Sequence, residues 1–240
     1  DRLWAPIDRW ATRRALRTGH VLTAMEREAY PRAYGVPAER FVLAPWPRQT
    51  EPAPGAGRAP EANLVVSGGR AFCDWPTLLE AARGSSWGLV VVCTRADLDE
   101  VRRLNRPPVA EVRCDVPEDE WLALLVRAAV AVVSVHEAQV SQCHVRIQQA
   151  NDARVALVST ATASLDGYVL PGETALTVAP GDAGALRAAV DRVLEEPGLR
   201  ERLVARAAEH AAQWSGPHYL QAISDLTWGR AVGLPPPVRR

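Results

Sequence analysis

With 240 residues, 48% of them hydrophobic, the chain can bury one full core and still have residues for an additional piece. Its 28 acidic and 28 basic side chains cancel, so no net field favours nucleic acid or an anionic membrane surface as a partner. No apolar run approaches the roughly 20 residues of a bilayer span, and no secretory signal stands at the front.

In chain order, residues 2–18 place Leu3, Ile7, Trp10, Ala11 and Leu16 near helical spacing. A short apolar run at 20–23 follows, then a second helical stretch to Tyr34, where Gly35 stands as a helix-ending glycine. Phe41, Val42 and Leu43 predict a brief strand closed by Pro45 and Pro47. Residues 47–61 (PRQTEPAPGAGRAPE) hold too much proline and glycine for regular structure and predict a linker between domains.

From residue 62 the pattern alternates between strand and helix. Strands are predicted at 63–67 (NLVVS), 89–93 (LVVVC), 109–113, 130–135 (VAVVSV) and 155–159 (VALVS). Helices are predicted at 77–83, at 96–104, from Pro117 onward, and at 142–151. The Pro117 helix carries Glu118, Asp119 and Glu120 in its first turn, where acids suit the positive end of the dipole. Leu186, Val190, Val193 and Leu194 mark another amphipathic helix, followed by 198–213 and about 217–230. Continuous β-branched runs without alternation mean strands covered on both faces. The expected fold is therefore α/β, a doubly wound, Rossmann-like parallel sheet, whose ligands sit beyond the carboxyl ends of the strands at the switch point.

Candidate site residues thus come from the loops after the strands: Gly68-Gly69-Arg70, Thr94-Arg95, Cys114-Asp115, Val135-His136-Glu137 and the 141–149 segment. A glycine pair admits a phosphate closely and Arg70 adds a fixed charge, although the same residues also make an ordinary tight turn. His136 and His144 read as polar rim residues, or, for His144, as a diphosphate contact. Cys73, Cys93, Cys114 and Cys143 have no C-x2-C spacing, so no metal is expected, and they read as the reduced thiols of a cytoplasmic protein. Trp4, Trp10, Trp46 and Trp75 read as packing residues. No Gly-x-Ser-x-Gly elbow of a hydrolase is present. The chain starts at Asp1 and its only methionine is Met25, so it is expected to be part of a longer protein.

Residues 62–214 resemble the C-terminal, donor-binding domain of retaining GT-B glycosyltransferases of the family 4 type. SGGRAFCDWPTLLEAA is similar to the family's first strand, glycine-rich loop and helix. HVRIQQANDARVALVST resembles the helix and strand that usually read leucine–glutamate–alanine–methionine–alanine and end in valine–alanine–threonine. LDGYVLPGETALTVAPGDAGALRAAVDRVLEEPGLRERL resembles the glycine–glutamate–threonine and proline–glycine–aspartate segment with its terminal helices, and ERFVLAPWP resembles the interdomain segment.

The resemblance implies 1–46 as the end of an N-terminal, acceptor-side lobe, 47–61 as linker, 62–215 as the donor-nucleotide domain, and 216–240 as a final helix with a proline-rich tail. It implies glycosyl transfer from a nucleotide diphosphate sugar, bound as substrate with no cofactor, to an acceptor served by a missing N-terminal lobe or a partner chain. The donor contacts it implies are Gly68, Gly69, Arg70, Asp115, Glu137, His144 and Gln149. Several positions depart from the family pattern. Gln149 stands where a ribose-binding glutamate is usual, and Ser141 where a second acid is usual. Cys73 replaces a basic residue of the diphosphate clamp, and Cys143 a glycine before the helix. Arg154 and Ala156 replace a glycine and a proline of structural role. These departures leave a second reading, a catalytically weak or inactive relative that binds or scaffolds.

Overall fold

The computed structural model describes residues 5–48, 52–138 and 140–228. The N-terminal piece runs α1 (Ala5–Ala15), β1 (Gly19–Val21), α2 (Ala24–Tyr34) and β2 (Phe41–Leu43). Strands β1 and β2 pair in parallel as a sheet of their own, over a small core of Val21, Val36 and Phe41. Thr23 caps α2 by accepting from the Glu26 amide at 3.2 Å, and Gly35 closes it at φ 66°, the left-handed conformation glycine adopts without strain. Trp4 and the predicted tail beyond 228 lie outside the described residues.

The main sheet has six strands: β3 (Leu64–Gly68), β4 (Gly88–Cys93), β5 (Ala110–Cys114), β6 (Val130–Val133), β7 (Ala156–Thr160) and β8 (Leu176–Val178). Their order is β5-β4-β3-β6-β7-β8 and every pair is parallel. This is the doubly wound sheet expected, with its winding reversing between β3 and β6. Between and after the strands come α3 (Trp75–Ala82), α4 (Leu98–Leu104), α5 (Glu118–Arg127), α6 (His144–Ala153), α7 (Ala183–Glu195), α8 (Leu199–Ala211) and α9 (Gly216–Trp228).

Successive strand residues feed two cores, which is why the strands read as unbroken apolar runs. Val65, Val91 and Val132 join Leu78, Leu79, Val101, Leu186 and Leu203 on one face. Val66, Val90 and Val133 join Leu124, Leu125, Ile147, Tyr168 and Trp214 on the other. Carboxylate caps start two of the helices on the first face, α3 and α7: Asp74 accepts from the Thr77 amide at 3.1 Å, and Asp182 from the Ala185 amide at 2.8 Å.

Two features differ from the sequence pattern. Strand β8 was not anticipated. It is a three-residue edge strand, too short to show a period, and its pairing with β7 defines it. The 47–61 segment has no helix or strand among its described residues, yet it lies fastened along the domain. Arg48 pairs with Asp152 at 3.3 Å, the Ala53 amide donates to the Asp152 carbonyl at 3.0 Å, and Glu61 pairs with Arg127 at 2.6 Å.

Candidate functional site

Where the winding reverses, β3 and β6 leave a crevice that neither flanking connection covers. A cavity of about 620 Å³ lies there, between the ends of β3, β4 and β5 and the starts of α5 and α6. Gly68, Gly69, Arg70, Asp115, His144 and Gln149 all line it. Glu137 does not. It is exposed, in a segment that is fixed to the β3 loop by the Val135–Cys73 bridge and by the His136 amide, which donates to the Phe72 carbonyl at 2.9 Å.

The β3 wall is glycine closely packed by its neighbours. A Cβ at Gly68 would come within 2.9 Å of the Trp121 ring, and one at Gly69 would overlap the Arg146 guanidinium and the Cys73 thiol. The Gly69 amide donates to the Val92 carbonyl at 3.1 Å and is not free for a ligand, and the room the glycines leave is taken by Trp121 and Arg146. Arg70 is exposed and forms no ion pair among the described residues. Asp115 follows β5 at φ 49°, with its amide on the Cys93 carbonyl at 3.0 Å and its carboxylate 3.8 Å from Arg95 Nε.

The α6 wall is closely tied. Ser141 N donates to Glu26 Oε1 at 2.7 Å, and Gln142 Nε2 to the His136 carbonyl at 2.9 Å. Burial pushes the Glu26 carboxyl up, but the bonds from Ser141, Leu22 and Tyr30 outweigh it and hold the group below its ordinary value. His144 is buried and stacked on Tyr168 with ring centroids 3.9 Å apart. Its Nε2 donates to the Ser164 carbonyl at 2.7 Å, and burial lowers its pKa, so a neutral ring rather than a cation faces the cavity at neutral pH. Gln148 Nε2 donates to the Trp46 carbonyl at 3.1 Å.

Gln149 bridges two walls. Its Oε1 accepts from Trp121 Nε1 at 2.9 Å, and its Nε2 donates to Glu118 Oε1 at 3.1 Å. The site therefore keeps a carboxylate beside position 149, supplied by the first turn of α5. Arg146 reaches across to the Gly68 carbonyl and to the thiols of Cys143 and Cys73, the last at 3.8 Å.

Sequence reasoning overlooked Trp121, Glu118 and Arg146 as cavity residues. Arg146 carried a legible signal, a cation in the first turn of a helix, where the dipole opposes it. Glu118 was attributed to the dipole alone. Among the described residues, no cluster of three or more His, Cys, Asp or Glu is placed to hold a metal ion, and no helix is long and apolar enough to cross a membrane.

No protein-family model and no curated protein matches the chain. Solved structures do. Sucrose-phosphate synthase from Thermosynechococcus elongatus aligns at a TM-score of 0.74 and 22% identity, over 95% of this chain and 62% of that one. Anabaena HepE in complex with UDP and glucose aligns at 0.79 and 13%, over 95% and 68%. A glycosyltransferase from Rickettsia africae aligns at 0.77 and 10%, over 94% and 66%. The chain has the fold of the Rossmann-like, C-terminal domain of GT-B glycosyltransferases, and it spans about two thirds or less of these proteins' length.

Proposed function

We propose that the chain binds a nucleoside diphosphate sugar in the switch-point cavity and passes its sugar to an acceptor. The observation that carries this is the cavity itself: 620 Å³ beyond the strand ends, lined by a glycine pair against which Arg146 packs and by an exposed Arg70 that no carboxylate among the described residues engages. In such a transfer the bond from the anomeric carbon to the diphosphate breaks while an acceptor hydroxyl forms the new one. Charge grows on the leaving diphosphate, and fixed cations at that point stabilise the transition state more than the ground state. Gln149 and Glu118 together offer the ribose hydroxyls an acceptor pair. The acceptor face comes from a lobe outside these 240 residues or from a partner chain, in keeping with the length of the neighbours. Four free thiols fit the reducing cytoplasm.

A non-catalytic nucleotide-binding partner is the second reading. Ser141 and Gln149 favour it, since neither supplies the acid that the family resemblance implies. Calorimetric titration with UDP, GDP and ADP tests binding, and release of nucleoside diphosphate from the matching sugar donor separates the two readings. Arg70→Ala is expected to cost about 1.5–3 kcal/mol of diphosphate affinity. If none of the three nucleotides binds, the assignment of this cavity fails.

A further inference from the structure

Arg146 stands in the cavity wall, and among the described residues its partners are all neutral: the Gly68 carbonyl and the thiols of Cys143 and Cys73. Burial raises both thiols above their ordinary value, with Arg146 itself pulling the other way. Both are protonated at neutral pH, and neither neutralises the guanidinium. A half-buried cation in the first turn of α6 is disfavoured twice, by lost hydration and by the helix dipole. An anion in the cavity would relieve both.

The local geometry leaves room for one. Of five guanidinium N–H groups, the Nε hydrogen and one Nη2 hydrogen have no partner among the described residues. The residue before α6, Cys143, sits at φ 65° and gives the helix no side-chain cap, so the first-turn amides lack that partner as well. Gly69 is what seats the guanidinium, because a Cβ there would overlap it. Position 73, meanwhile, holds a thiol where the resemblance implies a base.

We infer that Arg146 is the second cation of the diphosphate site, gripping the phosphates from α6 together with Arg70 from the β3 loop. The clamp has not lost a charge at Cys73; it has moved it to another element. This rests on the nucleotide-sugar reading of the cavity and names the residue through which that site holds the diphosphate.

The test is calorimetric titration of the chain, R146Q and R146K with UDP, GDP and ADP, with the matching nucleosides, and with inorganic pyrophosphate. Circular dichroism and thermal unfolding check each variant's fold. For whichever diphosphate the parent binds, R146Q is expected to weaken it about tenfold or more, because charge-assisted bonds are lost. R146K should recover part of that, and the matching nucleoside should bind all three proteins alike. Diphosphate binding by folded R146Q within twofold of the parent overturns the role of Arg146 and leaves the nucleotide site standing. So does a loss in R146Q that extends equally to the nucleoside, or equal loss in R146K and R146Q. If the parent binds pyrophosphate but no nucleotide, the nucleotide reading falls, and the cation site stands only where R146Q loses the pyrophosphate about tenfold or more. If the parent binds none of these ligands, both fall.

Discussion

The two walls of the cavity are built on opposite plans. The β3 wall is glycine, glycine and an exposed arginine, with almost no side chain engaged. The α6 wall is held at nearly every position: Ser141 by Glu26, His144 by Ser164 and Tyr168, Gln148 by Trp46, Gln149 by Trp121 and Glu118. Several of those anchors come from far along the chain, and Glu26 and Trp46 belong to the N-terminal piece. The open wall lets Trp121 and Arg146 come up against its backbone, and the tied wall fixes where groups such as Arg146 stand, which is how a rigid scaffold pre-organises a site.

If that division is right, the tied wall should lose most when an anchor is removed. Glu26→Ala deletes the acceptor for Ser141 N, Leu22 N and Tyr30 Oη, at 2.7, 2.9 and 2.9 Å. Buried bonds to a charged group are worth about 1.5–3 kcal/mol, and orphaned donors add to the cost. The expected loss is about 3 kcal/mol in denaturant unfolding, with weaker nucleotide binding alongside. A loss under about 0.5 kcal/mol would mean that the N-terminal piece does not hold this wall.

The open wall should be sensitive to added bulk instead. In Gly68→Ala the new Cβ meets Trp121 Cζ3 at 2.9 Å and Cη2 at 3.0 Å. The indole is rigid and its Nε1 is bonded to Gln149, so it must shift and disturb that bond. Overpacking of this kind costs about 1–3 kcal/mol. Indole fluorescence should change together with the unfolding midpoint, and an alanine variant as stable as the parent would show that the glycine is incidental.

Most of the fold was legible because buried parallel strands announce themselves. Runs such as LVVVC and VAVVSV are short and rich in β-branched valine, which favours a buried strand over a helix segment, and Gly35 closes its helix as its position implies. The site was legible to the level of loops, because the switch point follows from topology: Gly68, Gly69, Arg70, Asp115, His144 and Gln149 all reach one cavity. What the pattern could not show was side-chain reach. Glu137 lies in the right loop but is exposed and does not line the cavity. Glu118 and Trp121 belong to a helix whose sequence explained itself without a ligand. Position 149 looked like a lost carboxylate because its neighbour 31 residues earlier in the chain was invisible.

That last point reverses a natural expectation. Restoring the family's glutamate by Gln149→Glu would set two carboxylates about 3 Å apart, replacing a donor on Glu118 Oε1 by repulsion. The variant is expected to lose about 1 kcal/mol of stability at pH 7.5 and less at pH 5, where the pair can share a proton. Equal losses at both pH values would show that Glu118 is not the partner that matters. If the variant binds a nucleoside diphosphate tenfold tighter, Glu118 does not substitute for the missing acid.

The smallest expected effect concerns two buried histidines, His144 of the tied wall and His210 of α8, whose Nε2 donates to the Gly167 carbonyl at 2.7 Å. His144 and His210 ordinarily titrate near 6.5, and burial lowers both in the folded chain. The unfolded chain therefore binds their protons first as pH falls. Stability from this source is complete above about pH 6.5 and declines as pH drops from there toward the folded values. Around His144 stand the fixed charge of Arg146, the Cys143 thiol, which burial raises, and Tyr168 and Glu26. Burial raises Tyr168 well above neutrality, and Glu26 is held below 4.5, so none of these titrates in this window. His144→Phe keeps a ring to stack on Tyr168 but has nothing to protonate. It gives up the bond to Ser164, lowering stability at pH 7.5 by about 1 kcal/mol. Between pH 6.5 and 5.5, however, its unfolding free energy should fall less steeply than the parent's. Were the two slopes the same, His144 would have to be protonated in the folded state too, and a cation rather than a neutral ring would stand beside Arg146 at the start of α6.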